Sequence, residues 1–265
     1  MIRLGLLGHP VAHSRSSSVH AALGTQLGLE VRYSLHDVAP DDLANAIQRA
    51  RDDGFTGLNL TLPHKCAAAG FASELSVGAR RAGAVNTLRL SDLHGDNTDG
   101  EGLLRDLELG LGLSLRGMRV LVLGASGAAR GATAALTQRE LGRLVVANRD
   151  PARAAALAAD IPGVEVMRYD ELALAAFDLI VNATSASLAD QLPPLPADPY
   201  AGAAYDMVVA DQATVFQRWA IERGAILAAD GWGMMVEQAA LSWVSWGLPA
   251  PEPTPLLQPE RVLRR

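Results

Sequence analysis

The sequence has little cysteine, no excess of basic charge and no long apolar run, and each shortage removes a class of protein. A single cysteine, Cys66, in 265 residues allows no internal disulfide framework and fits a reducing compartment, the cytoplasm. With 23 Lys+Arg against 29 Asp+Glu the formal net charge is −6, so neither nucleic acid nor an anionic membrane is an expected partner. No apolar run approaches the length that spans a bilayer. The opening MIRLGLLGHPVAHS carries one early charge and is then broken by Gly, His and Pro, so it reads as a first strand rather than a secretory leader. Repeats of solenoid type are absent. His9 and His13 have the spacing of a metal pair, but Pro10 separates them and no third ligand clusters nearby, so no metal is expected.

What is present is a globular composition, 49% apolar and 20% charged, long enough for one large domain or two modest ones. Short apolar runs alternate with helical patterns, the signature of βαβ units and a parallel sheet. IRLGLLG, VRYSLHDV and TGLNLTL read as strands, the last closed by Pro63. Val19, Leu23 and Leu27 fall on one helix face, and PDDLANAIQRARDDG is a helix with an acidic start, a basic end and a stopping glycine. AVNTLRL follows, and SDLHGD turns the chain back. After NTDGEGLLRDLEL the pattern starts afresh with the strands MRVLVLG, GRLVVAN, FDLIVN and AAYDMVV. The expected fold is therefore two-domain α/β. An N-terminal α/β domain spans 1–98, and a Rossmann-like domain spans 99–234. The stripe Met235, Ala239, Trp243 and Trp246 lies on a helix in 235–265 that returns to the first domain. PAPEPTP reads as an extended surface segment.

VLVLGASGAARG, residues 120–131, follows a strand and opens a helix, the setting of a dinucleotide-binding turn. Gly124 permits the tight turn, and the helix N-terminus beyond it offers free N–H groups to a pyrophosphate. The generic G-x-G-x-x-G is incomplete: Ser126 and Ala129 stand at its second and third places, with Gly127 alongside. At the end of the next strand, where an NAD binder usually has an acid, VVANRDPAR has Asn148 and Arg149, with Arg153 one turn further on. A guanidinium suits a 2′-phosphate, so NADP is the expected cofactor and NAD a tolerated second. Asp150 has a structural alternative as N-cap before Pro151, although its charge would repel a phosphate.

The motifs taken in order resemble the shikimate dehydrogenase family from end to end. HPVAHSRSSSVH is similar to N-P-x-x-H-S-x-S-P-x-x-H, NLTLPHK to N-V-T-x-P-x-K, and AGAVNTL and GDNTDG match closely. GASGAARG, NR, NATS and DGWGMMVEQA complete the order. The resemblance implies reversible hydride transfer between NADPH and the 3-keto group of 3-dehydroshikimate, a step of aromatic amino acid biosynthesis. It implies that Ser14 and Ser16 bind the substrate carboxylate, that Asn59, Thr61, Asn86, Asp99 and Gln238 serve its hydroxyls, and that Lys65 and Asp99 form the catalytic pair. It places Gly124, Ala125, Ser126, Gly127, Ala128, Asn148, Arg149, Arg153, Thr184, Met207 and Gly231 at the cofactor. The expected partner is a cyclic polyhydroxy carboxylate, handled by a monomer or homodimer.

The residue types suit that chemistry. Hydride arriving at a carbonyl carbon builds negative charge on oxygen, and a lysine ammonium supplies both a charge and a proton. Each residue also has a plainer reading. Ser14 or Ser16 could cap the first helix, Asn86 and Asp99 could be turn residues, Thr61 a strand residue, Gln238 an exposed helix position and Lys65 a solvated loop charge. Four positions depart from the family pattern. Val209 stands where a tyrosine helps hold the substrate, Ser187 follows NATS in place of glycine, Ser126 replaces a glycine, and Asp150 replaces Thr or Ser. They leave open a paralogue acting on quinate, aminoshikimate or another cyclic hydroxy acid. A non-catalytic NADP-binding module is a further alternative, and a methylene-tetrahydrofolate dehydrogenase fits the HSRS and NTDG elements poorly.

Overall fold

The computed structural model describes residues 1–265, and the chain divides into two compact units. The first comprises Met1–Gly102 and Met235–Leu256, the second Leu103–Met234 and Leu257–Arg265.

The first unit begins with β1 (Ile2–Gly8), α1 (Ser16–Gln26), β2 (Val31–Asp37), α2 (Leu43–Asp52) and β3 (Gly57–Leu60). It continues through α3 (Lys65–Ala68), β4 (Glu74–Leu75), α4 (Val77–Ala82), β5 (Thr87–Arg89), β6 (His94–Asp96) and the start of α5 (Asp99–Arg105). Its six strands lie in the order β2-β1-β3-β5-β6-β4. β1 runs parallel to β2 and β3, as the βαβ pattern predicts. The expected parallel sheet stops there, because β5 is antiparallel to both β3 and β6. A tight turn with Leu93 at φ 57 joins β5 to β6, and only antiparallel neighbours can be joined that way. Leu7, Leu58, Leu60, Val85 and Leu88 form the core with Leu43 and Ile47 of α2.

In the second unit α5 runs into a π-turn, Asp106–Gly110, and then come β7 (Arg119–Leu123), α6 (Gly127–Leu136), β8 (Arg143–Ala147), α7 (Pro151–Asp160) and β9 (Glu165–Met167). β10 (Leu179–Asn182), β11 (Ala203–Asp206), α8 (Val215–Arg223), β12 (Leu227–Ala229), the start of α9 (Trp232–Ser245) and β13 (Leu263–Arg264) complete it. The sheet order is β13-β12-β11-β10-β7-β8-β9, parallel except for β13. Val120 and Val122 pack into one hydrophobic cluster while Leu121 and Leu123 pack into another on the opposite face. Cover on both faces is why these strands read as continuous apolar runs. The winding reverses between β7 and β10, so the carboxyl ends of those two strands form the switch point where doubly wound folds bind ligands.

The units differ from the expected division at two places. Residues 99–102 stay with the first unit, and Leu257–Arg265 joins the second rather than returning with 235–256. The physical reason is local: β13 pairs with β12, and the Arg261 guanidinium reaches the buried Asp230 carboxylate at 2.5 Å. The stripe is realised by Ala239 and Trp243 on α9 and by Trp246 just past its end, all buried, while Met235 is half-buried. No helix is long and apolar enough to cross a membrane. His9 pairs with Asp37 at 2.5 Å rather than with His13.

Candidate active site

Lys65 owes its place to the end of β3. Thr61 N–H still donates to Leu7 O (2.9 Å), and His64 N–H folds back to Thr61 O (2.8 Å), ending the strand in a turn. The buried His64 ring donates to Val38 O at 2.8 Å and anchors that turn. Lys65 then opens α3, and its carbonyl accepts from Val85 N–H at 2.8 Å. Its ammonium donates to Asp99 Oδ2 at 2.6 Å, with the two side chains 28% and 23% exposed, so both are screened yet open to a ligand. The residues span 34 positions of sequence, and no local pattern links them.

Asp99 is held from its other oxygen. Asn86 Nδ2 donates to Asp99 Oδ1 at 2.8 Å and to Thr98 Oγ1 at 3.0 Å, with Gln238 Oε1 at 3.4 Å. Asn86 Oδ1 accepts from Thr98 N–H and from the Thr87 hydroxyl, each at 2.9 Å. Gln238 approaches because Gly102 has no side chain: a Cβ there would stand 2.8 Å from Gln238 Cβ. A second branch starts at Asn59, whose Nδ2 lies 3.1 Å from each of Asn86 O, Thr87 Oγ1 and Ser242 Oγ. Tyr33 donates to Asn59 Oδ1 at 2.9 Å. Ser14 donates to Ser16 Oγ at 3.0 Å. One network thus joins Asn59, Asn86, Asp99, Lys65 and Gln238, while Ser14 and Ser16 form a separate pair. Arg15 holds the N-cap position of α1 without a side-chain cap bond, while Ser14 Oγ accepts from Ser16 N–H, the first of the helix, at 3.2 Å. Thr61 is half-buried nearby, and its hydroxyl stands outside the network.

Four network members were not singled out from the sequence. Thr87 and Thr98 lie inside the quoted motifs, next to Asn86 and Asp99. Ser242 lies one turn beyond Gln238 on α9, a spacing that could have shown it. Tyr33 sits in an ordinary-looking strand and gave no signal.

The second unit offers a cradle made mostly of backbone. Gly124 takes φ +111, and its N–H donates to Ala147 O at 2.8 Å. A Cβ at Gly124 would meet Ala183 O at 3.1 Å, so the turn after β7 is pressed against the end of β10. Ser126 fills its glycine-like place usefully: it N-caps α6 by accepting from Ala129 N–H (3.4 Å) and donates to Ala183 O (3.3 Å). Ala125 is half-buried in the turn, while Gly127 and Ala128 open α6 exposed, and nothing lies within 4 Å of where a Gly127 side chain would stand. Thr184 Oγ1 donates to Asn182 Oδ1 at 2.7 Å, Met207 N–H to Asn182 O at 2.9 Å, and Gly231 N–H to Val208 O at 3.1 Å.

Beyond β8, Asn148 Nδ2 donates to Asp150 O at 2.9 Å, and the Asp150 carboxylate accepts from Ala152 N–H at 3.0 Å as N-cap of α7. Arg149 and Arg153 are exposed, and neither forms an ion pair. The charge of Arg149 reaches the Tyr169 phenol and partly offsets the burial that pushes it up to about 12. Ser187 donates to Asp206 Oδ2 at 2.6 Å, a carboxylate also held by Asn182 and Thr214. Burial raises Asp206 above the usual carboxylate range, and these hydrogen bonds oppose the rise. Val209 is half-buried.

The open N-terminus of α6, the glycine turn and two unpaired guanidiniums fit a phosphorylated dinucleotide. A doubly wound cradle of this kind, together with a lysine–carboxylate pair among hydroxyl-binding groups, defines the class of the pyridine-nucleotide dehydrogenases.

Comparison with known proteins narrows the class. Residues 6–88 match the family model for the shikimate dehydrogenase substrate binding domain, and residues 108–189 match that for shikimate / quinate 5-dehydrogenase. The chain is 44% identical over 271 residues to shikimate dehydrogenase (NADP(+)) of Methylococcus capsulatus, covering 99% of this chain and 97% of that one. Among solved structures it resembles the shikimate 5-dehydrogenase of Thermus thermophilus in complex with NADP(H) and shikimate, with a TM-score of 0.86, 38% identity and 96% of each chain covered. An Ael1 enzyme from Pseudomonas putida superposes with a TM-score of 0.90 at 39% identity, over 97% of each chain. The chain belongs to the shikimate dehydrogenase family.

Proposed function

We propose that this chain catalyses the reversible NADP-dependent reduction of 3-dehydroshikimate to shikimate, with Lys65 and Asp99 handling the proton. The observation that carries the reading is the 2.6 Å contact between Lys65 Nζ and Asp99 Oδ2, braced by Asn86. When bound, NADPH supplies the hydride. As the substrate carbonyl is reduced its oxygen gathers negative charge, and a nearby ammonium stabilises and then protonates it. Lys65 has three donors and uses one on Asp99, so others remain for that oxygen. In the oxidative direction Asp99 accepts a hydrogen bond from the reacting hydroxyl while neutral Lys65 takes the proton.

Ser14 and Ser16 serve the substrate carboxylate, and Thr61, Asn86 and Gln238 its ring hydroxyls. Asn59 plays a supporting part. It is 6% exposed, and both ends of its amide are already paired, so it orients Asn86 and Tyr33 rather than touching substrate. On the cofactor side, two unpaired guanidiniums support NADP over NAD. The carboxylate of Asp150 is engaged at the N-terminus of α7, where the helix dipole offsets its charge. Exposed Cys66, a lone free thiol, supports a cytoplasmic setting.

The test is a steady-state panel of shikimate, quinate and aminoshikimate, each with NADP+ and NAD+. The highest kcat/KM is expected for shikimate with NADP+. A higher value for quinate moves the substrate assignment to quinate. Dinucleotide binding without turnover of any of the three ends the enzymatic reading.

A further inference from the structure

We infer that Ser187 is a positioning residue: it ties the turn after β10 to the buried carboxylate of Asp206 and so shapes the side of the cradle that receives the nicotinamide half of NADP. The inference rests on the dinucleotide binding proposed above and assigns a residue to one half of that cofactor.

A doubly wound sheet holds a dinucleotide across its switch point, one mononucleotide to each side. Here the switch point lies between β7 and β10. Arg149 and Arg153 follow β8 and are exposed, so the phosphorylated adenosine half belongs to the β8 side. The nicotinamide half then falls to the carboxyl ends of β10 and β11. Those ends carry Asn182 and Asp206, partners at the last pair of the parallel ladder.

Asp206 is buried, and its carboxylate collects four donors. The Ser187 hydroxyl reaches Oδ2 at 2.6 Å, and the Thr214 hydroxyl reaches the same oxygen at 2.7 Å. Asn182 Nδ2 reaches Oδ1 at 3.1 Å, and Val208 N–H reaches it at 3.2 Å. Other contacts direct the two hydroxyl protons onto the carboxylate. Thr214 Oγ1 accepts from Gln217 N–H at 3.1 Å, and Ser187 Oγ accepts from Asn182 Nδ2 at 3.4 Å. Four donors suit the ionised carboxyl and fix its orientation. Asp206 thereby joins three segments: the turn after β10 through Ser187, the chain after β11 through Val208, and the start of α8 through Thr214.

The turn, Ala186–Ala189, has little else to hold it. Asp190 at its end pairs with Arg218 at 3.0 Å, but both side chains are exposed and such a pair adds little. Leu188, the largest side chain of the turn, is exposed. Thr184 links the turn to the cradle: its Oγ1 accepts from Ala186 N–H at 3.3 Å and donates to Asn182 Oδ1 at 2.7 Å. A glycine at 187, the family residue, would free the backbone of the turn and leave Asp206 one donor short. Serine supplies the anchor.

The experiment titrates the full chain by calorimetry, without substrate, with NADP+ and separately with adenosine 2′,5′-bisphosphate, which lacks the nicotinamide half. The proteins are the unaltered chain, Ser187→Ala, Ser187→Gly and Ser187→Thr. Ser187→Ala is expected to raise Kd for NADP+ about fivefold, part of the value of one hydrogen bond to a charge. Ser187→Gly should raise it at least as much, whereas Ser187→Thr, which keeps the hydroxyl, should bind as the unaltered protein does. Kd for the bisphosphate should stay unchanged in all three, because a general loosening of the fold would weaken both ligands alike. An equal loss with the bisphosphate, or a threonine variant as weak as the alanine one, overturns the inference. If Ser187→Ala fails to unfold cooperatively, Ser187→Gly is read by the same criteria. An unaltered protein that binds no NADP+ overturns the functional reading and this inference with it. NADP+ held equally by the unaltered protein, Ser187→Ala and Ser187→Gly overturns the role of Ser187 alone.

Discussion

The two units hold their functional groups in opposite ways. In the first, side chains fix one another: Lys65 is set by Asp99, Asp99 by Asn86, Asn86 by Thr87 and Thr98, and Asn59 by Tyr33. In the second, backbone geometry does most of the work. Gly124 at φ +111 and the N-terminus of α6 form the cradle, and the arginines beyond β8 stand free of ion pairs. A network of mutually dependent side chains gives exact placement of a proton donor but tolerates little change. A backbone cradle accepts side-chain variation, which is why Ser126 can stand at a glycine place and improve the turn as a cap.

That contrast orders the expected effects of substitution. Lys65→Ala is expected to lower kcat by roughly 10²–10⁴-fold, the range of a general acid–base group, with a smaller change in KM for shikimate. A near-normal kcat would erase the special standing of the first unit. Asp106 tests the exception, a side chain buried in the second unit beneath the Tyr205 hydroxyl at 2.6 Å. Burial raises its carboxyl from 3.8 to about 6. The native state then keeps a proton that the unfolded chain releases, so this group's stability contribution falls as pH climbs from about 4 to 6 and is level above that. The full effect is about 3 kcal/mol. Asp106→Asn should therefore lose less stability than the unaltered protein between pH 4.5 and 7.5 in thermal unfolding; parallel curves contradict the assignment.

Smaller effects belong to the cradle. Arg149→Ala should lower kcat/KM with NADP+ about tenfold, the loss of one charge-assisted contact, and leave the NAD+ value nearly unchanged. Equal losses with both cofactors remove Arg149 from 2′-phosphate recognition. Ser126→Gly should change stability by only a few tenths of a kcal/mol, since glycine is itself an acceptable N-cap, with kcat/KM within about twofold. A large kinetic loss would mean that the second unit depends on side chains as the first does.

The same contrast explains what could be read from the residues. In the second unit, strands covered on both faces show as the apolar runs RVLVL and RLVVA, and the glycine turn and the Asp150–Pro151 cap are local signals. In the first unit, β4 and β6 are two and three residues long, too short to carry a period. SDLHGD marked the reversal that Leu93 makes at a positive φ, but it did not show that β5 and β6 extend the first sheet in antiparallel fashion. The pairings that make the site are remote, Lys65 with Asp99 across 34 positions and Asn59 with Ser242 across 183. Motif order through the family resemblance gathered Lys65, Asp99, Asn86 and Gln238. Physical pattern alone did not, and Tyr33 was visible to neither.

The central claim is that Lys65 and Asp99 form one proton-handling unit, and a kinetic double-mutant cycle tests it most directly. kcat for shikimate oxidation is measured at saturating NADP+ in Lys65→Ala, Asp99→Asn and the combined variant. Groups that act together predict a combined loss no larger than the worse single loss, within about threefold. A combined loss equal to the product of the two single losses would show that they act independently and would contradict the account.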